Sequence, residues 1–367
     1  MIGTRPEAIK MAPVAHALAA RGCRPRLVLT GQHADLRADE FGLAGFPATH
    51  LNCAGERDPH RHVRKVTAAM SAQLRDKPDL LMVQGDTSSA LGAALAAFMA
   101  DVPVAHVEAG LRTHDPLLPW PEEEYRTAID AHAELLFAPT ETAAANLRLE
   151  QVPGEVHVTG NTGIDSLLAV ASKLPRMRQN GDVPRLLVTC HRRESWGAGL
   201  RSISAALVEL AGDRRAHIDV VLHPNPHVAS AMREQLAGRA GILLRAPAAH
   251  AELVEMIRDS DLVLSDSGGI QEEAPTLGTP LLVLRDKTER PEAIASGNAR
   301  LVGTSAERIV AETRRLLDSP AELASMSRPS FPFGDGRAGS RIAAIVETWL
   351  EKRVNVDQPL IRGTGLE

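Results

Sequence analysis

The sequence predicts an α/β protein built as two doubly wound, parallel-sheet domains facing a central cleft. Three observations carry that expectation. Short apolar runs alternate with helical stretches almost throughout the 367 residues; the alternation lapses once, near the middle, and restarts; and the length suits two cores at roughly 150 residues each.

Taken in order, RPRLVLT (24–30), PDLLMVQ (78–84), VPVAHVE (102–108), ELLFAPT (134–140) and EVHVTG (155–160) read as strands. Between them SSALGAALAAFMA (88–100) and TETAAANLRL (140–149) read as helices, the second opening on a threonine N-cap. Residues 171–184, ASKLPRMRQNGDVP, mix Lys, Arg, Pro, Gly and Asn without periodicity and form the linker candidate. After it come RLLVTC (185–190), HIDVVLH (217–223), GILLRA (241–246), DLVLSD (261–266) and TPLLVLR (279–285), again separated by helices. The expected division is 1–170 for the first domain, 171–335 for the second, a helix at 336–353 that crosses back to the first, and a tail at 354–367.

One element breaks the scheme. GTRPEAIK reads as a loop opening a helix after a strand, with Pro6 in the first turn, yet only Met1 and Ile2 precede it. The expectation is that the first strand is missing, through a start placed too late or a shortened chain. N-terminal sequencing of protein from its native source tests this.

Composition narrows the function classes. Hydrophobic residues at 44% and charged residues at 24% are the balance of a soluble globular protein. No apolar run approaches the roughly 20 residues that span a bilayer, and the start lacks a secretory signal's apolar centre, so the expected compartment is the cytosol, with no membrane partner. Cys23, Cys53 and Cys190 are odd in number and widely spaced, which supports neither a disulfide framework nor a zinc pattern. A net charge of −5 with 3% aromatic residues supplies no basic patch and few stacking platforms for nucleic acid.

The chemistry collects where strands end. SDSGGIQEEAP (265–275) places Ser267-Gly268-Gly269 between a strand and a helix, and glycines at a helix N-terminus let a diphosphate approach unpaired N–H groups. Plain chain reversal remains open for such a bend. Glu272 and Glu273 follow within one turn, either complementing the helix dipole or accepting hydrogen bonds from a ribose diol. A nucleoside diphosphate satisfies both halves of the turn. Three further tips carry polar side chains: Asp86 in QGDTSS, then Glu108, Arg112, Glu122, Glu123 and Arg126 in HVEAGLRTHDPLLPWPEEEYR, then His191, Arg192, Arg193 and Glu194 in TCHRRESWG. Singly each suits a surface ion pair or a cap. Their recurrence at the strand tips of both domains points to one site.

GTRPEAIKMAPV, TGQH, GDTSSALGAALAAF, HVEAGLRT, PWPEE, TGNTGID, HRRES, HPNPHV, SDSGGIQEEAPTLGTP, TERPEAI and FGDGRA occur in one consistent order from residue 2 to about 350. In this the chain closely resembles the bacterial non-hydrolysing UDP-N-acetylglucosamine 2-epimerases. The resemblance implies a glycosyltransferase-B-like pair of Rossmann-type domains, a homodimer, and interconversion of UDP-GlcNAc and UDP-ManNAc without a redox cofactor or metal. In that family UDP is eliminated with loss of the carbon-2 proton, leaving a 2-acetamidoglucal, and is then re-added with the opposite configuration.

Carried over by motif, Asp86, Glu108, Glu122 and His191 take the catalytic positions. Arg5, Lys10 and Arg126 become cations for the departing diphosphate, Ser267, Gly268 and Gly269 its phosphate cradle, Glu273 the ribose acceptor and Arg290 a further nucleotide neighbour. The resemblance also implies a second, activating UDP-GlcNAc site at Gln32, Glu123, Arg192 and His223. Here the chain departs from the pattern: Asp35 replaces a glutamine, and an arginine is lost around Val66, so little or no activation by UDP-GlcNAc is expected. Cys190, where the family carries a small residue, reads as neutral packing. Two rivals remain: a UDP-sugar-dependent glycosyltransferase of the same fold, and an epimerase of a modified UDP-N-acetyl sugar. Carbon-2 proton exchange without an acceptor separates the first; a substrate panel separates the second.

Overall fold

The computed structural model describes residues 1–175, 183–190, 197–223 and 225–357. The linker expected at 171–184 lies partly outside them. The chain resolves into two compact units. The first comprises 1–110, 124–165 and 336–367; the second comprises 111–123 and 166–335. Against the expected boundary after residue 170, the segment 111–123 goes with the second unit; the C-terminal helix goes with the first.

In the first unit, a sheet of β3 (Leu81–Gln84), β4 (Val104–Val107), β5 (Leu135–Ala138) and β6 (Glu155–Val158) is parallel in sequence order. A separate parallel pair joins β1 (Leu27–Leu29) to β2 (Ala48–His50). Ile2 makes an isolated parallel bridge to Leu29, so the residues before GTRPEAIK contribute two positions of extended chain where a strand was expected. Its helices are α1 (Arg5–Ala20), α2 (Pro59–Gln73), α3 (Ser88–Met99) and α5 (Glu141–Leu149), while α4 (Glu122–Asp130) and α6 (Thr162–Ala171) have residues assigned to both units. Helix α1 starts on Thr4, whose side chain accepts from the Glu7 N–H while Glu7 reaches back to the Thr4 N–H. Thr87 and Thr140 cap α3 and α5 in the same manner, accepting from the N–H groups of Ala90 and Ala143.

The second unit holds a six-stranded parallel sheet in the order β12-β11-β10-β7-β8-β9. Its strands are β7 (Arg185–Thr189), β8 (His217–Val221), β9 (Ile242–Arg245), β10 (Leu262–Ser265), β11 (Leu281–Val283) and β12 (Ala299–Leu301). The strand order reverses between β7 and β10, and ligands of open α/β sheets bind beyond the carboxyl ends at such a reversal. Helices α7 (Ala198–Gly212), α8 (Pro226–Leu236), α9 (His250–Arg258), α10 (Gly268–Leu277), α11 (Pro291–Ala295), α12 (Ala306–Asp318) and α13 (Pro320–Met326) complete this unit. Val188, Leu207, Ile218, Leu264 and Leu282 sit at the centre of its core, each at most 1% exposed.

Helix α14 (Ala338–Asp357) packs on α1. Asp165 caps it, accepting from the N–H groups of Ala338 and Gly339 at 3.1 and 2.8 Å. Gly339 allows the approach: a Cβ there would lie 3.0 Å from the Pro13 backbone, closer than packing comfortably tolerates. Ile342, Ala343, Val346 and Trp349 of α14 thereby join Ala8, Val14 and Leu18 of α1 in the first unit's core. Among the described residues, no helix is long and apolar enough to cross a membrane.

Candidate active site

In the first unit the adjacent strands β3 and β4 run in register, Gln84 beside Val107, and so deliver Asp86 and Glu108 to neighbouring tips. Glu108 is 7% exposed and adopts φ 69°, a left-handed conformation that costs a non-glycine residue about 1 kcal/mol or more. Two hydrogen bonds hold the bend: the N–H groups of Glu108 and Ala109 both donate to the Phe137 carbonyl, at 3.0 and 3.1 Å. The Glu108 carboxylate accepts from Lys10 Nζ at 2.5 Å and from Gln84 Nε2 at 2.6 Å through the same oxygen, Oε2. Asp86 is paired with Arg126, Nη2 to Oδ2 at 2.6 Å; the arginine side chain is 3% exposed and the aspartate 29%. Each acid thus carries a cation of its own, one from α1 and one from α4.

The supporting residues were not singled out from sequence. His106 lies on β4 with its Nδ1 2.6 Å from Asp130 Oδ1 and its Nε2 2.8 Å from the carbonyl oxygen of Gly85, immediately before Asp86. Asp130 in turn accepts from the Gly110 N–H at 3.1 Å, two residues after Glu108. One fully buried pair therefore touches the backbone of both acidic loops. Glu7 does the same for the other side of the site. Its carboxylate accepts from the N–H groups of Gly3 and Thr4 at 2.7 and 2.6 Å and from the Thr87 hydroxyl at 2.6 Å, joining the loop before Arg5 to the loop after Asp86. Burial pushes the Glu7 carboxyl above its ordinary value, against the opposing pull of these hydrogen bonds. The only sequence signal for such residues was a polar side chain on an otherwise apolar strand, as in VAHV, or inside a helix start.

Arg5 is exposed and its Nη2 reaches Asp35 Oδ2 at 2.8 Å, so the aspartate that departs from the family pattern occupies one of the expected phosphate cations. Gln32 accepts from the Ser89 hydroxyl at 2.7 Å. Val66 is fully buried, and a Cβ built on Gly92 would come within 2.8 Å of its own Cβ, which makes the position part of the α2–α3 packing.

In the second unit, β10 ends at Ser265, whose hydroxyl lies 2.7 Å from that of Thr189 on β7 and accepts from the Ser267 N–H at 3.0 Å. That contact sets the bend. Ser267 is the N-cap of α10 without a side-chain cap bond, and Gly268 and Gly269 form its first turn. Among the described residues, a Cβ on Gly269 would meet nothing nearer than Ser267 Oγ at 3.9 Å. Glu273 is 3.2 Å from His250 Nε2. Arg290, 6% exposed, bonds Glu272 Oε1 at 2.5 Å and also pairs with Glu289, which binds Arg285 at 2.8 Å. This buried chain of two arginines and two glutamates anchors the loop that carries Thr288 against α10. Glu123, in the segment 111–123, accepts from the N–H groups of Thr113 and His114 at 2.9 and 3.0 Å and shapes that loop. His223 Nδ1 accepts from the Asn225 N–H at 2.8 Å at the end of β8. Cys190 is 2% exposed, and burial, with Asp266 adding to it, pushes its thiol well above the ordinary range. Glu122 opens α4. His191 and Arg192, with Arg193 and Glu194, lie outside the described residues. Among the described residues, no group of three or more His, Cys, Asp or Glu side chains is placed to hold a metal ion.

Paired acids and cations at adjacent strand tips, with an open glycine turn at a strand-order reversal, agree with what known proteins of similar sequence and fold are. The family description "UDP-N-acetylglucosamine 2-epimerase" matches residues 16–347. A UDP-N-acetylglucosamine 2-epimerase of Salmonella typhimurium is 40% identical over 372 residues, covering 95% of this chain and 98% of the relative. The crystal structure of a UDP-GlcNAc 2-epimerase from Neisseria meningitidis bound to UDP-GlcNAc superposes with a TM-score of 0.89 at 37% identity, over 95% of this chain and 98% of that one. MurG of Acinetobacter baumannii shares the fold alone, with a TM-score of 0.58 at 14% identity over 95% of this chain and 98% of that one. The chain belongs to the UDP-N-acetylglucosamine 2-epimerase family.

Proposed function

We propose that this protein interconverts UDP-N-acetylglucosamine and UDP-N-acetylmannosamine. The observation that carries the reading is the pair of acids at neighbouring strand tips, Asp86 held by Arg126 and Glu108 held by Lys10, in a chain of this family. The carbon-2 hydrogen is weakly acidic, so its removal needs a carboxylate held close and partly out of water. As that proton passes to the carboxylate, its C–H electrons form the C1=C2 double bond and the C1–O bond breaks toward UDP. Protonation of the 2-acetamidoglucal from the opposite face, with UDP returning to C1, gives the epimer. Asp86, Glu108, Glu122 and His191 supply the acid and base; Lys10, Arg5 and Arg126 balance the diphosphate's charge. A diphosphate arriving at Lys10 competes with Glu108 for the ammonium and leaves that carboxylate more basic.

The α10 N-terminus, whose Ser267 makes no side-chain cap bond, and the room around Gly269 among the described residues support a phosphate at Ser267, Gly268 and Gly269. Glu273 is assigned the ribose hydroxyls. Arg290 acts beneath α10 by holding Glu272. Activation by a second UDP-GlcNAc, through Gln32, Glu123, Arg192 and His223, is weak or absent, because Asp35 adds an acid beside Arg5 and Val66 belongs to the core. The working form is a cytoplasmic homodimer. Incubation with UDP-GlcNAc in deuterated water, without an acceptor, tests the activity: deuterium enters carbon 2. A glycosyltransferase leaves that position protonated. Assays starting from pure UDP-ManNAc test the regulation, and a strict requirement for added UDP-GlcNAc contradicts it.

A further inference from the structure

The motif TGNTGID follows β6 and opens α6. Asn161 stands immediately before that helix and caps it: its Oδ1 accepts from the Gly163 N–H at 2.8 Å, and its carbonyl accepts from the Ile164 N–H at 3.0 Å. The cap bond fixes which end of the carboxamide is oxygen and turns the nitrogen away from the helix start. That nitrogen is unused. Asn161 is 2% exposed, and among the described residues its Nδ2 has no hydrogen-bond partner; the same holds for the hydroxyl of the neighbouring Thr162, 1% exposed. A polar group shut away from water and left unbonded costs the folded chain its full desolvation, so such groups are rare unless something outside the chain binds them.

Gly163 joins this corner to the reacting acids. A Cβ there would lie 3.1 Å from Asn161 Oδ1, 3.3 Å from Lys10 Cε and 3.7 Å from Lys10 Cγ, so the lysine passes over the bare glycine beside the Asn161 carboxamide. Its Nζ goes on to Glu108 at the tip of β4. β6 lies two strands from β4 in one parallel sheet, about 10 Å away, with its carboxyl end on the same side. Lys10 therefore links Asn161 to Glu108 across the width of β5.

We propose that Asn161 is a specificity residue, whose Nδ2 donates to the carbonyl oxygen of the acetamido group on the substrate's carbon 2. This rests on the reaction proposed above, in which a carboxylate at the β3 or β4 tip takes the carbon-2 proton. The acetamido group hangs from that same carbon, so it lies beside whichever acid acts. A neutral N–H donor suits a neutral carbonyl acceptor in a buried corner, because the contact leaves no charge to be balanced there. Holding that oxygen fixes the direction in which the C2–H bond faces the base.

The test measures three dissociation constants by isothermal titration calorimetry, for UDP-N-acetylglucosamine, for UDP-glucose, which carries a hydroxyl in place of the acetamido group, and for UDP. Asn161→Asp and Asn161→Ser each remove the amide donor and keep a good cap residue, so Tm stays within about 2 °C. The unaltered chain binds UDP-N-acetylglucosamine at least about tenfold more tightly than UDP-glucose, and in both variants that preference falls to about threefold or less. The Kd for UDP moves by less than about threefold, while carbon-2 deuterium exchange falls by roughly ten- to a hundredfold. A preference that survives in both variants overturns the proposal. So does a loss of UDP affinity as large as the loss for the sugar nucleotide, because Nδ2 then holds a phosphate. Absence of deuterium exchange in the unaltered chain overturns the reaction instead, and the three binding constants decide the acetamido contact independently of it.

Discussion

Glu108 is the residue where backbone strain, charge and position coincide, and replacing its carboxylate separates catalysis from folding. Glu108→Gln keeps the shape and an acceptor for Lys10 or Gln84, so UDP affinity stays within about threefold while carbon-2 deuterium exchange falls by roughly 10² to 10⁴. Asp86→Asn behaves alike. Near-normal exchange in both variants refutes the assignment. His106 and Asp130 act through these acids, since they touch the backbone at Gly85 and Gly110. A displacement near 1 Å costs on the order of a hundredfold in rate. Asp130→Ala therefore lowers kcat by roughly ten- to a hundredfold with KM little changed, and Asp130→Asn, which still accepts from the Gly110 N–H, recovers part of the loss. A parallel rise in KM, or no rescue by asparagine, marks a merely structural pair.

At the scale of elements, most of the strands that sequence revealed have three or more consecutive apolar positions, such as DLVLSD and PDLLMVQ. Two were not legible. β2, Ala48–His50, is exposed at all three positions, and β12, Ala299–Leu301, places an arginine at its centre, so neither carries the apolar run that marks a buried parallel strand. The phosphate turn was legible because its glycines follow a strand and open a helix. The hydroxyl contact between Ser265 and Thr189 that fixes it was not, since it joins strands 76 residues apart in sequence. The turn offers a test in which stability and binding move apart. Gly269→Ala has room for its methyl and improves helix propensity by about 1 kcal/mol, so Tm holds or rises. The same methyl stands where a phosphate approaches the backbone, and the Kd for UDP rises by about tenfold or more by isothermal titration calorimetry. Unchanged UDP affinity places the diphosphate elsewhere.

For the whole molecule, the motif order from Gly3 to Arg337 and a C-terminal helix that goes with the first domain were read from the chain, whereas the place of 111–123 was not. That segment leaves the first unit for the second, which follows from packing between residues far apart in sequence. The buried Met1 amine sets a pH dependence for the first unit. The Met1 amine titrates at about 6 in the folded protein against 8.0 for a free N-terminus, with desolvation the larger cause and Glu7 opposing it. Arg24, Arg26, Asp76 and Asp79 line the cavity beside Met1. The folded state thus binds fewer protons than the unfolded chain between pH 6 and 8. Stability is fully present above pH 8, falls as pH drops toward 6, and levels off below it, by roughly 2 to 3 kcal/mol in all. His33, also lowered by burial, contributes in the same direction, so the measurement is a difference. Urea midpoints from pH 5.5 to 8.5 are compared for the chain and for the same chain acetylated at Met1. Acetylation removes the titrating amine, and the slope between pH 6 and 8 flattens by that amount; identical slopes place the Met1 amine in water.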